Sequence, residues 1–303
     1  MSQLCACKLS AAQRVTESVK AALEQGVRPW IKPWTDDHSN LLTLPRRANG
    51  EHYRGINVIT LWANATRRSF NSPYWLTFKQ AQGLAATVRK GEHGSFVVFY
   101  KPVEKRDPAN NEAEDDNARR SVLRGYIVFN RDQIEGLGQH LADGPPPPRM
   151  PTDAMAALFE RVPAHVRFGG NRAFYSPPTD HVQMPPAPSF TDVGQFYATL
   201  AHEFGHWTRH PARLDRDFGA KRFGDAGYAL EELVAELCAA FVGAVIGLPA
   251  DHIEDHAAYV GEWIGVLKDN PNAFLTAAAK AQVAADYLLR LMGELPASAA
   301  PDQ

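Results

Sequence analysis

Between residues 10 and 25 the apolar positions Val15, Val19, Ala22 and Leu23 keep helical spacing. Ser10 supplies a cap and Gly26 a stop, so a first helix is predicted there. A second is predicted over residues 75–88, closed by Lys90-Gly91. Two denser apolar runs follow, residues 95–100 and 122–130, and read as strands. Between them residues 104–120 are polar, Asn-rich and mixed in charge, the pattern of a solvated loop. Past residue 150 the pattern predicts a short helix over 152–161 and hairpin-like pieces around 166–170 and 173–175. Three longer helices then follow, over 191–210, 229–246 and 273–292. No internal repeat is visible.

Gly144-Pro145-Pro146-Pro147-Pro148-Arg149-Met150-Pro151 supports neither helix nor sheet and favours an extended spacer. The expected fold class is therefore α+β in two domains. Residues 1–143 form an α+β domain, 144–151 a linker, and 152–303 a mainly helical domain with a small sheet. Few contacts are expected across such a linker, so a fragment ending near Asp143 should fold alone.

The N-terminus lacks the charged and apolar regions of a signal peptide. The longest apolar run, residues 237–248, is too short to span a bilayer and reads as a buried helix. Three cysteines cannot build a disulfide framework, so the expectation is a soluble, cytoplasmic protein with no membrane partner. Cys5-Ala6-Cys7 is a weak metal pair without a visible partner. Charge is unevenly divided. Residues 1–143 hold 20 Lys and Arg against 15 Asp and Glu, while the rest hold 12 against 19. A basic N-terminal half fits a polyanionic partner, although a plain surface imbalance gives the same count.

His202-Glu203-Phe204-Gly205-His206 carries the most specific chemistry. On a helix, residues four apart project from one face about 6 Å apart, so two imidazoles can share an ion. Glu203 between them can face the ion's water and act as general base. A third ligand is available in Glu231-Glu232-Leu233-Val234-Ala235-Glu236, where Glu232 and Glu236 share a helix face with Ala235, Ala239 and Gly243. Those small residues let this helix approach the His-bearing one. Glu232 is assigned as third ligand, and Glu236 as the carboxylate that accepts from a ligand imidazole's far nitrogen. His210 lies about 12 Å of helix from His202, and Pro211 ends the helix. The longer metzincin pattern would want Gly and His where Arg209 and Ala212 stand. Two histidines and one glutamate leave a fourth position for water, the catalytic arrangement. Zn2+ suits the set, and another divalent ion such as Mn2+ also fits. Tyr175, Tyr228, His210 and Arg213 are all available as oxyanion donors.

In the N-terminal half, cations and aromatics interleave: Trp30, Lys32, Trp34, Arg46, Arg47, Tyr53, Arg54, Trp62, Arg67, Arg68, Tyr74, Trp75 and Lys79, with Arg89 and Lys90 beyond. Single-strand binders set aromatic platforms among phosphate-binding cations. Trp62 and Trp75, in apolar company, are expected in the core. Trp30, Arg46, Tyr53, Arg54, Lys79, Arg89 and Lys90 are the candidate contacts.

From about Ser10 to Met292 the chain resembles the ArdC antirestriction family. The likeness rests on Tyr53-Arg54-Gly55-Ile56-Asn57, Trp75-Leu76-Thr77-Phe78-Lys79-Gln80-Ala81, Val88-Arg89-Lys90-Gly91-Glu92, Thr199-Leu200-Ala201-His202-Glu203, His206-Trp207-Thr208 and the glutamate cluster at 231–236. The resemblance implies a single-stranded-DNA-binding domain joined to a zincin-like metallopeptidase domain, carried on conjugative plasmids and protecting entering DNA from restriction. Three roles follow for testing: a protease acting on a protein near DNA, a DNA-binding shield with a structural or vestigial metal site, and a binder of restriction enzymes. The intact Glu203 favours the first over the second.

Overall fold

The computed structural model describes residues 9–26, 28, 30, 42–102, 121–141, 150, 152–219, 225–248 and 257–296. The Cys5/Cys7 pair, Lys32, Trp34, the loop at 104–120 and most of the proline-rich stretch lie outside them.

The first helix, α1 (Ala11–Glu24), starts at Ser10, whose hydroxyl accepts from the Gln13 N–H while the Gln13 side chain accepts from the Ser10 N–H. Its buried face is Val15, Val19 and Leu23, as the spacing predicts. After β1 (Arg46–Arg47) comes α2 (Ile56–Arg68), a helix that the apolar pattern does not announce. It buries Val58, Ile59, Leu61 and Trp62. The single helix expected over 75–88 is instead β2 (Tyr74–Leu76), α3 (Phe78–Gly83) and β3 (Thr87–Val88). Trp75 and Leu76 pair with Asn130 and Phe129, and Thr77 then opens α3 through a reciprocal cap with Gln80. Strands β4 (Ser95–Pro102) and β5 (Ser121–Asn130) cover the two runs expected as strands, and they pair antiparallel. The sheet order is β1-β2-β5-β4, with β1 parallel to β2. A separate two-stranded piece joins β3 to β6 (Ile134–Glu135).

The second half opens with α4 (Thr152–Glu160). A three-stranded sheet follows, β7 (His165–Phe168), β8 (Phe174–Ser176) and β9 (His181–Met184), in the order β7-β9-β8. The hairpin-like pieces pair through β9 rather than with each other. Then come α5 (Val193–Trp207), α6 (Ala226–Ile246), α7 (Ala257–Asp269) and α8 (Pro271–Met292). Of these, α7 has no counterpart among the predicted helices. α6 is the central helix, buried over most of its surface between α5, α7 and α8.

The mixed α+β architecture in two parts is as expected, but the expectation of few contacts between the parts fails. They share a single hydrophobic core, in which α1 and α2 pack on α8, and Trp62 meets Phe241 of α6 at 6.0 Å. Polar groups join them too. Arg54 pairs with Asp286, and the Gly55 N–H donates to Gln282 Oε1 at 2.9 Å. The composition break at the prolines therefore does not mark a break in packing.

Candidate metal centre

α5 begins where the Asp192 carboxylate accepts from the Gln195 N–H, and ends at Trp207, three residues before the predicted stop. His202 and His206 lie one turn apart on its buried face, their rings 4.8 Å apart. Facing them is α6, started by the Asp225 carboxylate accepting from the Tyr228 N–H. The helices approach closely because Gly205 has no side chain. A Cβ there would lie 3.0 Å from the Ala235 Cα and 3.3 Å from its carbonyl oxygen. Ala235 thus takes the role expected of it, whereas Gly243 faces Leu248 instead.

This contact brings His202, His206 and Glu232 together, each with a ligand atom within 4.8 Å of the others. Glu232 Oε2 is 3.6 Å from His202 Nε2, and its Oε1 is 3.5 Å from His206 Nε2. Two ligands bound at zinc distances and at the tetrahedral angle stand about 3.4 Å apart. Both imidazole–carboxylate separations are therefore close to the spacing of ligands around a divalent ion.

The far nitrogen of each imidazole faces a carboxylate. His202 Nδ1 is 3.7 Å from Glu236 Oε2, and His206 Nδ1 is 3.2 Å from Glu231 Oε1. Glu236 lies where its helix face predicts, whereas nothing in the sequence singles out Glu231. It is buried against Arg216, whose Nε and Nη2 donate to it at 2.8 and 2.7 Å. Arg216 also donates to the Gly205 carbonyl and the Thr208 hydroxyl, tying the end of α5 to α6. No local pattern marks Arg216, which stands in a loop, so only the fold reveals it.

The charges of the cluster are set by burial and mutual pairing. Burial pulls the His202 imidazole down, but Glu232 and Glu236 outweigh it and hold its pKa up at about 10. His206, also pulled down by burial, is held up at about 9 by Glu232 and Glu231. For the carboxylates burial acts in the opposite sense, and cations again prevail. His206 and His202 keep Glu232 below the usual carboxylate range, and Arg216 with His206 does the same for Glu231. Glu203 behaves differently: burial raises it. The Tyr175 backbone N–H on β8 donates to this carboxylate, yet its Oε2 is buried with no hydrogen-bond partner among the described residues. A buried, half-satisfied carboxylate beside two imidazoles has the character of a group that works on a bound water.

His202, Glu203, His206, Glu231 and Glu232 line a cleft of about 450 Å³, with Tyr175, Tyr228, Arg172 and Arg209 on its walls. Of the four oxyanion candidates, Tyr175 and Tyr228 line it. Arg213 is committed elsewhere, pairing with Asp180 and lying 4.0 Å over the Trp207 ring, and His210 Nδ1 accepts from the Ala212 N–H. Burial and its hydrogen bond to Asp180 push the Tyr175 phenol up to about 12.

The N-terminal candidates divide. Trp30 and Tyr53 are 1% and 3% exposed, which removes both as stacking platforms: these large apolar rings gain more from the shared core. Trp62 and Trp75 are buried, as expected. Arg54 is engaged by Asp286 and Arg89 by Glu92. Lys79 and Lys90 are exposed, Arg46 is half-buried, and none of the three has an ion-pair partner among the described residues. Among the described residues of this half the exposed aromatics are others: Phe78, Phe99 and Tyr100.

Known proteins share both parts of this chain. The model of a zincin-like metallopeptidase family matches residues 153–280, and that of the N-terminal domain of anti-restriction factor ArdC matches residues 10–129. The metal-free crystal structure of the antirestriction protein ArdC from plasmid R388 is 38% identical, with a TM-score of 0.79, covering 95% of this chain and 100% of that one. Its Mn(II)-bound structure is 37% identical, with a TM-score of 0.77 and the same coverage. The Sinorhizobium fredii protein y4eC is 40% identical over 287 residues, 91% of this chain and 90% of that protein. A DNA primase TraC of Escherichia coli is 36% identical over 296 residues, but this chain spans only 19% of the primase.

Proposed function

Because the chain belongs to the ArdC family of antirestriction proteins, we propose that it protects incoming DNA by joining a single-strand-binding surface to a zincin-type peptidase site. The observation that carries the reading is one cleft holding both the His202, His206 and Glu232 ligand atoms, within 4.8 Å of one another, and the half-satisfied Glu203 carboxylate. His202, His206 and Glu232 would hold the ion, with Zn2+ the choice of the ligand chemistry. When bound, such an ion supplies Lewis acidity toward a peptide carbonyl and acidifies water. Glu203, raised by burial, is suited to accept a proton from water and deliver it to the leaving amine. Glu231 and Glu236 keep the imidazoles oriented. Across the N-terminal half, Lys79, Lys90 and Arg46 offer phosphate contacts, and Phe78, Phe99 and Tyr100 offer faces for unstacked bases.

The test compares Glu203→Gln with the unaltered protein in transfer of unmodified plasmid DNA into a restricting recipient. Protection should be lost while single-strand affinity and bound metal are retained. Full protection by the variant would reject the peptidase reading and leave a non-catalytic shield. Glu232→Ala should also lose its metal on elemental analysis, and a retained ion would reject Glu232 as third ligand.

A further inference from the structure

We infer that Trp30, from the N-terminal half, is a positioning residue of the metal centre, acting through Glu236 on His202. The inference rests on the reading of His202, His206 and Glu232 as the metal-holding set. The Trp30 indole Nε1–H donates to Glu236 Oε1 at 2.9 Å, across 206 residues of sequence. Glu236 Oε2 faces His202 Nδ1 at 3.7 Å. Trp30 and Glu236 are each 1% exposed. A carboxylate so deeply buried is costly unless its charge is answered, and here the indole N–H hydrogen-bonds Oε1 while the His202 imidazole faces Oε2 as a charge partner at 3.7 Å, beyond hydrogen-bond reach.

Geometry gives this chain of contacts a direction. With Oε1 fixed by the indole, the Glu236 carboxylate can turn only by losing that hydrogen bond, so Oε2 stays toward His202. A carboxylate at Nδ1 holds the proton on that nitrogen and leaves the Nε2 lone pair for the ion, which is the atom that faces Glu232. Trp30 is itself held firmly. Its ring meets Trp263 edge-on at 5.7 Å, and the Trp263 indole N–H donates to the Ala229 carbonyl of α6 at 3.0 Å. Two indoles thus brace the helix that carries Glu232 and Glu236, and of the two it is Trp30 that reaches Glu236.

The test is a double-mutant cycle on the full chain, read as Zn2+ affinity by chelator competition and repeated with Mn2+. Trp30→Phe keeps the ring packing and deletes the donor, and should weaken affinity about ten-fold, the lower end of what partners of ligand imidazoles contribute. Glu236→Gln should weaken it at least as much, and the double variant should be no weaker than Glu236→Gln alone. Wild-type affinity in Trp30→Phe, or additive losses in the double variant, would overturn the inference. If Trp30→Phe does not fold, the indole N–H resonance of Trp30 in the ¹⁵N-labelled wild type decides. It should move on adding Zn2+, and a stationary signal refutes the coupling. Loss of metal in Glu232→Ala with full affinity in Trp30→Phe sinks this inference alone, whereas retention in Glu232→Ala sinks the site itself.

Discussion

Glu231, Glu232 and Glu236 are three carboxylates on one helix with three different sets of partners. Glu232 lies between the two imidazoles, Glu231 is claimed by Arg216, and Glu236 by Trp30. In chelator-treated protein these pairings have a pH signature. His202 and His206 have folded pKa values of about 10 and about 9, above the ordinary 6.5. Their stabilisation of the metal-free fold is therefore fully present below about pH 6.5, and it is lost as pH rises through 9 to 10. Melting temperatures of chelated protein should fall over that window, and Zn2+ should abolish the fall by taking the place of the protons. An unchanged melting temperature from pH 6 to 10 in chelator would contradict the pairing. At the surface, Phe78→Ala should weaken single-strand binding by about 1–3 kcal/mol. Lys79→Gln should lower the salt slope by roughly 0.7, measured by oligonucleotide titration. His202, Glu203 and His206 are legible in the sequence through helical spacing, and Glu232 through the small Ala235 on its face, which lets α6 come close to them. Glu231, Arg216 and Trp30 are not, because their partners are distant in sequence. Trp30 misleads in particular, since an indole among cations reads alike whether it faces solvent or a buried carboxylate.

Between elements, the site depends on how closely α5 and α6 approach. Gly205 sets that distance, since a Cβ there would press on the backbone of Ala235, which cannot swing aside as a side chain would. Gly205→Ala should destabilise the fold by about 1–3 kcal/mol and weaken metal binding together, because moving α6 carries Glu232 away from both imidazoles. Parallel denaturant and metal titrations check this. A variant with normal stability and normal affinity would show that the helices have room to spare. The two helices are readable in sequence from their sustained apolar patterns, although α6 starts at Ala226 behind its Asp225 cap, three residues before the expected 229. The segment 74–88 is not, because the pairing of Trp75 with Asn130 is non-local and outweighs the local helical spacing. Thr77 with Gln80 is nonetheless a visible start signal for α3 in the middle of that supposed helix.

At the scale of the whole molecule, composition marks two parts while packing makes them one. Leu61 and Trp62 of α2 share a core with Phe241 of α6 and Leu288 of α8, and Arg54, Gly55 and Trp30 add polar joints. No helix among the described residues is long and apolar enough to cross a membrane, and the most apolar of them, α6, is the one that this core surrounds. A shared core predicts a single cooperative transition rather than one for each matched domain. An ion that binds only the folded chain stabilises it by about 2.7 kcal/mol at one hundred times its dissociation constant. That gain should therefore reach residues far from the cleft. Hydrogen exchange with and without Zn2+ should show added protection in α1 and α2 as well as in α5 and α6, and calorimetry should show one transition moving upward as a whole. Two transitions, only the second responding to Zn2+, would mean that the halves unfold separately and that the contacts between them contribute little.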